Sequence, residues 1–318
     1  MLTQDSLEAV FREARDYEAR PLWTVMDKMV PMEPNPRAVP YVWKYKPLKA
    51  LLDRAGELIR AEEAERRVLM LVNPALEPPC TTDTLFAGYQ YIRPGEIAPP
   101  HRHSAFALRF IIEGSRAYTA VGGERVWMEP GDLILTPSWT FHDHGKEGEG
   151  PMVWLDGLDL PVLQFTHVNF KEEPHGMELH STDALPSTNL GYKWTDMKPR
   201  LDAIPGPWAE LEYLQKIGGN PISRTIGAKA ERLAPGATKP RRRSTACHIY
   251  SVITGTGVAR VGDRELAFEP GDTFAVPAWY PYTVENLSGE MAYLFSFNDR
   301  PMLQSLGLYR EETPRLQT

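Results

Sequence analysis

Glu129–Trp139 (EPGDLILTPSW) returns later in the chain as Glu269–Trp279 (EPGDTFAVPAW), after a separation of roughly 140 residues. Each copy is a Pro-Gly-Asp turn followed by a short apolar run. Matched turns also lie upstream, where Pro94-Gly95 corresponds to Pro235-Gly236 and Ile112–Gly114 corresponds to Ile253–Gly255. One Pro-Gly-Asp turn is common, but two copies with matched glycines upstream indicate that one structural unit is duplicated.

Short runs with strand character surround both copies, and turn residues bound each run. In the first copy these runs are Leu85–Ile92, Ala107–Ile112, Ala117–Val121, Glu124–Met128, Leu133–Thr136 and Met152–Leu158. Gly122-Gly123 predicts a hairpin turn between two of them. Strand character resumes at about Ser223 and continues to Phe297. Many short strands without intervening helices predict a mostly β chain with two tandem sandwiches or barrels.

Helices are predicted before the first strands and in the connection between the two β regions. Apolar spacing predicts a helix over Ser6–Arg20, and Pro47 opens a second helix that extends to about Glu65. Trp208–Ile217 is predicted to form one short helix. The predicted domains are an N-terminal helical segment (1–66), a first barrel (67–160), a connection with a short helix (161–218), a second barrel (219–300) and a tail (301–318).

The composition excludes several classes of protein. The chain has 318 residues and is 42% hydrophobic, which excludes a disordered chain, a collagen and a disulfide-dense miniprotein. A formal charge of −7 argues against a nucleic-acid or membrane-surface binder. Two cysteines, Cys80 and Cys247, indicate a reducing compartment. No apolar stretch approaches the roughly 18 residues of a membrane span, so we predict a cytoplasmic protein.

Four of the eight histidines lie close together in the first β region: His101, His103, His142 and His144. His101 and His103 are two residues apart, so on a strand both imidazoles project from one face. His142 follows the Pro-Gly-Asp turn on another strand. Three imidazoles from two strands that face a barrel interior make a set of nitrogen donors for a divalent first-row metal. Surface or capping roles are the alternative for histidines, and this spacing disfavours them.

The spacing of these residues resembles the two cupin motifs. Gly95 is followed after five residues by His101-Arg102-His103, and Gly131-Asp132 is followed by Pro137 and His142. With the internal repeat, the resemblance implies a bicupin, that is, two tandem double-stranded β-helix (jelly-roll) barrels. A common cupin has a glutamate soon after the second histidine, whereas Ser104–Leu108 contains no carboxylate and position 109 is arginine.

A longer set of segments resembles the gentisate 1,2-dioxygenase family, which includes salicylate and 1-hydroxy-2-naphthoate dioxygenases. The segments are His101–His103, Ala107–Phe110, Ala117–Val121, Thr136–Trp139, His142–Gly145 and Trp154–Asp159. The resemblance implies one Fe(II) per chain and opening of an aromatic ring between the carboxyl-bearing and hydroxyl-bearing carbons. Three neutral histidines leave the full charge on a divalent metal, which suits a dianionic ortho-hydroxybenzoate. The spacing by itself leaves Mn, Ni and Cu open.

Further site residues are predicted around the histidines. Arg109 is expected to hold the substrate carboxylate in a two-pronged hydrogen bond. It has the strand parity of His103 if no bulge intervenes. The resemblance implies a second substrate-binding arginine at Arg66 or Arg67, with the choice between them open, and places Gln90, His144 and Asp156 near the metal. We expect His144 to contact substrate or oxygen, Gln90 to bond a ligand or water, and Asp156 to orient an imidazole or an arginine.

The second repeat has different residues at the three ligand positions. Arg242, Ser244 and Tyr282 stand where the first repeat has His101, His103 and His142. We therefore predict one metal, in the first barrel, with the second barrel serving folding and subunit contact. Arg241–Arg243 is interpreted as a solvated loop, with an anion or acidic-partner site as the alternative.

The function predicted from the sequence is Fe(II)-dependent cleavage of gentisate to maleylpyruvate. Salicylate, substituted salicylates and 1-hydroxy-2-naphthoate are alternative substrates of the same reaction. Two other classes stay open: a non-catalytic regulatory cupin that binds a metabolite, and a metal-dependent isomerase or decarboxylase. The expected partners are the aromatic acid, O2 and further copies of the chain in a dimer or tetramer, because barrel edges favour self-association.

Overall fold

The computed structural model describes residues 4–59, 63, 66–175 and 180–312, and these fall into two units that part after Asn35. The first unit contains helix α1 (Gln4–Asp16), a 3-10 turn (Leu22–Thr24) and helix α2 (Met26–Met29). Phe11 and Trp23 contact each other within it, with ring centroids 6.1 Å apart. The predicted helix over Ser6–Arg20 is present and ends at Asp16.

The second unit begins with strand β1 (Tyr41–Trp43), helix α3 (Tyr45–Leu58) and strand β2 (Arg67–Met70). Helix α3 begins two residues before Pro47, because proline is tolerated in the first turn, where amide groups lack intrahelical partners. It ends at Leu58 rather than near Glu65. Residues 60–62, 64 and 65 of the predicted helix lie outside the described residues.

The first copy of the repeat forms the predicted barrel. Its strands are β3 (Phe86–Ile92), β4 (Ile97–His103), β5 (Ala107–Glu113), β6 (Ala117–Val121), β7 (Glu124–Met128), β8 (Leu133–Thr136), β9 (His142–Lys146) and β10 (Met152–Leu158). One sheet has the order β8-β5-β10-β3-β2 and the facing sheet has the order β4-β9-β6-β7. Gly122 and Gly123 form the predicted hairpin turn, since Val121 pairs with Glu124.

The connection is more structured than predicted. It contains helix α4 (Leu160–Phe165), strands β11 (Lys171–Glu172), β12 (Thr182–Asp183) and β13 (Gly191–Tyr192), helix α5 (Trp194–Asp202) and strand β14 (Trp208–Glu212). The predicted helix over Trp208–Ile217 is wrong. Ala, Leu and Glu favour helices, but Trp208–Glu212 pairs antiparallel with the next strand along its whole length. Sheet pairing therefore overrides the local propensity.

The second copy repeats the barrel. Its strands are β15 (Gly227–Leu233), β16 (Arg243–Ser244), β17 (His248–Thr254), β18 (Gly257–Val261), β19 (Arg264–Phe268), β20 (Thr273–Val276), β21 (Tyr282–Asn286) and β22 (Ala292–Asn298). Helix α6 (Arg300–Ser305) and strand β23 (Glu311–Glu312) follow. Among the residues with described coordinates, no helix is long and apolar enough to span a bilayer.

The two barrels pack through one shared hydrophobic cluster. Phe110 of β5 stacks on Phe295 of β22, with ring centroids 4.2 Å apart, and Tyr89 donates to Thr273 across the contact at 2.9 Å. Gly157 lies where a Cβ atom would come within 2.9 Å of both Phe297 and Leu108. This close approach explains why strand β10 has glycine at that position.

Each barrel is completed by a strand that precedes the other barrel in sequence. Strand β1 pairs with β20 of the second barrel, and β13 pairs with β8 of the first. The same anchor secures both strands: Asp272 accepts Lys44 Nζ and Tyr45 N at 2.6 and 2.8 Å, and Asp132 accepts Lys193 Nζ and Trp194 N at 2.6 and 2.9 Å. The Asp of the Pro-Gly-Asp turn thus links the repeat to the segment that covers it.

Candidate metal centre

Three histidines converge inside the first barrel. His101 and His103 lie on β4, and His101 is the direct cross-strand partner of His142 on β9. Ring centroids of the three are 4.4 to 5.2 Å apart, and one ligand nitrogen from each lies within 4.8 Å of the others. Within the described part of the chain, this is the one group of three or more His, Cys, Asp or Glu side chains that converges in this way.

Hydrogen bonds at Nδ1 leave two of these rings with Nε2 available. His103 Nδ1 lies 2.8 Å from the Ala105 carbonyl oxygen, and His142 Nδ1 lies 3.0 Å from that of Thr140. A carbonyl only accepts, so Nδ1 carries the proton in both rings and Nε2 presents a lone pair. Nε2 of His142 is buried and has no hydrogen-bond partner among the described residues. Such orphaned nitrogens fit a bound cation.

Burial keeps the histidines neutral. Desolvation, with the charge of Arg66, lowers the pKa of His101 to about 3, and desolvation with Arg109 lowers the pKa of His103 to about 4. The pKa of His142 is also lowered, chiefly by burial. Neutral imidazole is the ligand form, so the site requires no deprotonation to bind a metal at neutral pH. The three donors would leave the other faces of a six-coordinate metal open.

The two candidate arginines point to different partners. Arg66 Nη2 lies 2.6 Å from Nδ1 of His101 and 3.2 Å from the Pro99 carbonyl oxygen. Arg67 instead forms an ion pair with Glu96 and donates from Nε to Ile59 O at 2.9 Å. Arg66 is therefore the arginine that borders the histidines.

The Arg66 contact and a metal on the same ring are mutually exclusive. Guanidinium only donates, so Nδ1 of His101 must accept in this contact, and the ring proton then sits on Nε2. When Nε2 serves as a ligand, the proton moves to Nδ1 and Arg66 has to give up the contact. The carbonyl of Pro99, 3.5 Å from Nδ1, is then the acceptor for that proton.

Arg109 lies on the strand after His103, in the facing sheet. The chain leaves β4 at Ser104 and enters β5 at Ala107, so continuous strand parity does not relate the two residues. The Arg109 side chain is 4% exposed, and its Nε lies 3.5 Å from Asp156 Oδ1. Nη1 donates to Thr136. Asp156 also accepts Trp154 Nε1 at 3.0 Å, so its nearest charged partner is Arg109 rather than a ligand imidazole.

His144 and Gln90 occupy the same interior. His144 is fully buried, contacts the His142 ring with centroids 5.8 Å apart, and has Nδ1 2.9 Å from Thr119 Oγ1. Its Nε2 has no partner within the described residues, and burial lowers its pKa well below the ordinary value. Gln90 is buried on β3 and lines a hollow of about 10 Å³ together with Arg66.

Sequence reasoning missed the hydroxyl residues that hold these side chains. Thr119 faces His144 in the strand register, and Thr136 lies beneath Arg109. The hairpin at Gly122-Gly123 sets the parity of β6, so the register of Thr119 was open to prediction once β9 was paired with β6. Thr136 was likewise open to prediction once β5 was paired with β8, since Arg109 pairs with Ile134 and Thr136 lies two residues further along the same face.

In the second barrel, the three residues that correspond to the histidines also lie together. They are Arg242, Ser244 and Tyr282. Arg242 forms a bridge with Tyr282, as His101 does with His142. Ser244 occupies the position of His103. The interpretation of Arg241–Arg243 as a solvated loop is wrong for Arg242, which donates to Glu210 at 2.7 Å and lines an internal cavity. The alternation of side chains along the strand turns Arg242 inward, while Arg243 pairs with Glu312.

Comparisons with known proteins find cupin domains in this chain and relatives that are named as dioxygenases. The cupin domain family matches residues 88–158 and 230–298. The chain is 36% identical to gentisate 1,2 dioxygenase 1 of Aquipseudomonas alcaligenes, over 95% of this chain and 94% of that one. It is 34% identical to 1-hydroxy-2-naphthoate 1,2-dioxygenase of Nocardioides sp. (strain KP7), over 96% and 88%. The structure of salicylate 1,2-dioxygenase from Pseudoaminobacter salicylatoxidans with gentisate superposes with a TM-score of 0.89 at 30% identity, over 99% and 95%.

Proposed function

Since the chain belongs to the gentisate 1,2-dioxygenase family of bicupin ring-cleaving dioxygenases, we propose that it is an Fe(II) enzyme that cleaves gentisate to maleylpyruvate. The observation that carries the proposal is the trio His101, His103 and His142, which converges in a barrel interior with Arg66 and Arg109 beside it. One Fe(II) per chain would bind to these three nitrogens. Their neutrality at pH 7 and the orphaned Nε2 of His142 support that assignment.

The arginines bind and orient the substrate. Gentisate is an anion, and the carboxylate of the substrate can form paired hydrogen bonds with a buried guanidinium. Asp156 and Thr136 hold Arg109 for this purpose. Nε of Arg109 lies 3.5 Å from Asp156 without forming a hydrogen bond, and it has no hydrogen-bond partner among the described residues. Arg66, once it leaves His101, supplies a second cation at the same site. Bound Fe(II) would supply a Lewis-acidic, redox-active centre at which the ortho-hydroxy acid and O2 meet.

His144 is proposed to contact a substrate oxygen. It presents a buried, unpaired Nε2, and Thr119 holds its ring from the other side. Asp156 is proposed to position Arg109, whose Nε lies 3.5 Å from its Oδ1. Gentisate is preferred to salicylate because its 5-hydroxyl adds electron density to the ring that oxygen attacks. Relatives named as acting on gentisate, 5-aminosalicylate and 1-hydroxy-2-naphthoate support the shared substrate class.

The experiment that tests the proposal is anaerobic reconstitution with Fe(II), followed by oxygen uptake and ultraviolet detection of the ring-opened product. Gentisate, salicylate and 1-hydroxy-2-naphthoate are each assayed. We expect one O2 consumed per gentisate, with kcat/KM for gentisate the highest of the three. Zn(II)-loaded protein is the matched control, since Zn(II) accepts the same ligands but has no redox chemistry.

Two results would contradict the proposal in different ways. Oxygen uptake with salicylate or hydroxynaphthoate and none with gentisate would reject the substrate and keep the reaction. Equal turnover of the Zn(II) and Fe(II) forms would reject the metal assignment.

A further inference from the structure

We propose that the second barrel holds its own binding site, for a small carboxylate anion no larger than benzoate, in the cavity that corresponds to the metal centre. The cavity has a volume of about 140 Å³. The residues that line it and carry the argument include Lys229, Arg242, Ser244, His248, Tyr282 and Arg300. A cavity of about 150 Å³ accommodates a benzene ring, so a single ring or a shorter acid sets the size limit.

Donor groups occupy the positions where the first barrel has ligands. Arg242 replaces His101, Ser244 replaces His103 and Tyr282 replaces His142, so a guanidinium and two hydroxyls face the space that would otherwise hold a cation. Arg242 Nε donates to Tyr282 Oη at 3.3 Å, and Ser244 Oγ lies 3.4 Å from His248 Nε2. A cationic, hydroxyl-lined space repels a metal and favours an anion.

The charge that lines the cavity is positive. Lys229, Arg242 and Arg300 line it against two carboxylates, Glu210 and Glu311. Glu212 lies at the rim, where its 46% exposed side chain pairs with Arg300 at 3.2 Å and lies 3.7 Å from Lys229 Nζ. Burial and the neighbouring cations lower the pKa of His248 well below its ordinary value, so this ring adds no charge. Among the groups that line the cavity itself the cations exceed the carboxylates by one, and Glu212 meets that charge from the rim; a bound carboxylate would meet it from within the cavity.

One buried donor in the cavity wall has no partner. The Nε atom of Arg300 is buried and unpaired within the described residues, although the side chain as a whole is 33% exposed and its Nη1 donates to Glu212 at 3.2 Å. An unpaired buried donor costs about 1–3 kcal/mol, so native proteins keep few of them without a ligand or water. A carboxylate between Arg300 and Arg242 would satisfy this donor.

The cavity also has a cover with a counterpart in the first barrel. Strand β23 pairs with β16 beside Ser244, as β11 pairs with β4 beside His103. Tyr309, just before β23, lines the cavity and donates to Glu311 at 2.7 Å. The second barrel therefore resembles the first in having an interior space and a covering strand. It differs from the first in the residues at the three ligand positions.

The test is equilibrium dialysis of Fe(II)-loaded protein against carbon-14 benzoate and, separately, carbon-14 acetate. Wild-type protein is compared with Ser244→Leu, which fills the cavity without changing its charge. Benzoate also has access to the first barrel, so the readout is the difference in site number. We expect Ser244→Leu to bind one carboxylate fewer per chain for at least one probe, with gentisate turnover kept. Benzylamine, a cation of the same size, is expected not to bind at this site.

A second variant keeps the proposal testable if Ser244→Leu does not fold. Arg242→Gln leaves Glu210 paired with Lys229 at 2.8 Å and Lys239 at 3.2 Å, so no carboxylate is left uncompensated. We expect it to weaken the second site by about tenfold or more, because a charge-assisted hydrogen bond is lost. Unchanged site number in Ser244→Leu, or unchanged affinity for both probes in Arg242→Gln, would overturn the proposal.

Discussion

The two barrels share their turns, their aspartate anchors and most of their strands, but their interiors differ at three matched positions. The first interior has imidazoles whose pKa values are lowered by burial, so they are neutral donors. The second has Arg242 in an ionic network with Glu210 and Lys229, with Tyr282 hydrogen-bonded to Arg242 and Ser244 beside His248. The barrel thus supplies positions in space, and the side chains at those positions decide the chemistry.

The electrostatics of the second interior explain why it tolerates charge. Lys239 and Glu231 are almost fully buried and form an ion pair, and Lys239 also lies 3.2 Å from Glu210. Opposite charges raise the pKa of Lys239 despite its burial. The first interior places no carboxylate among its three histidines and instead concentrates cations, Arg66 and Arg109, beside neutral rings.

Removing one imidazole is the strongest way to break the comparison. We expect His142→Ala to lose bound Fe(II) and to lower ring cleavage by more than about a hundredfold, which exceeds the effect of losing a supporting hydrogen bond. Tyr282→Phe at the matched position of the second barrel is the control and should keep its full metal content. Metal analysis and oxygen uptake measure both. A metal-loaded His142→Ala, or a metal-free Tyr282→Phe, would contradict the assignment of the centre.

The arginine beside the centre is expected to act on substrate and not on metal. Arg109→Lys keeps a cation opposite Asp156 but loses the two-pronged hydrogen bond. We expect Fe(II) content to be unchanged and KM for gentisate to rise about tenfold to a hundredfold, the loss of one or two charge-assisted hydrogen bonds. Steady-state oxygen uptake and metal analysis separate the two effects. Loss of metal in Arg109→Lys would show that Arg109 supports the ligands instead.

The aspartate anchors test whether the two barrels are equivalent outside their interiors. Asp132 and Asp272 each accept a lysine Nζ at 2.6 Å and a backbone amide. Asp132→Asn and Asp272→Asn should each lower the free energy of unfolding by about 1–3 kcal/mol, because a hydrogen bond to a charged group is weakened. Urea unfolding measures this, with Asp263→Asn, at an exposed hairpin turn, as control. Strongly unequal losses would show that one covering strand matters more than the other.

Sequence periodicity predicted the barrels well because their strands are short, alternate with glycine turns and occur twice. All six strand predictions in the first barrel agree with the structure to within one residue at each end, for example Glu124–Met128. The covering strands could not be found in this way. Strand β13 has two residues, Gly191 and Tyr192, and exists only because β8 offers an edge.

A longer repeat was available in the sequence and would have shown more of the fold. Asp159-Leu160-Pro161 and Asp299-Arg300-Pro301 begin helices α4 and α6, and Asp159 and Asp299 bond threonines Thr225 and Thr84 of the opposite barrel. The helix predicted over Trp208–Ile217 failed for a different reason. The segment pairs with β15, and Glu210 within it accepts from Arg242 and Lys229; propensity contains neither of these tertiary contacts.

The smallest expected effect concerns the second barrel interior. It is the contribution of His248 to the way the free energy of unfolding changes with pH. His248 in the second barrel is half-buried and has a pKa well below 6.5 because of desolvation and nearby Arg242. The unfolded chain therefore binds a proton below pH 6.5 that the folded chain does not, and this term lowers the free energy of unfolding as pH falls. His248→Gln should reduce that slope by up to about 1.4 kcal/mol per pH unit below pH 6.5.

Urea unfolding of equally metal-loaded wild type and His248→Gln between pH 7 and pH 5 measures the slope. The first barrel is identical in both proteins, so acid effects on its histidines and on bound metal cancel in the difference. Parallel curves for wild type and His248→Gln would mean that His248 is protonated in the folded protein, and the second interior would then carry one more positive charge.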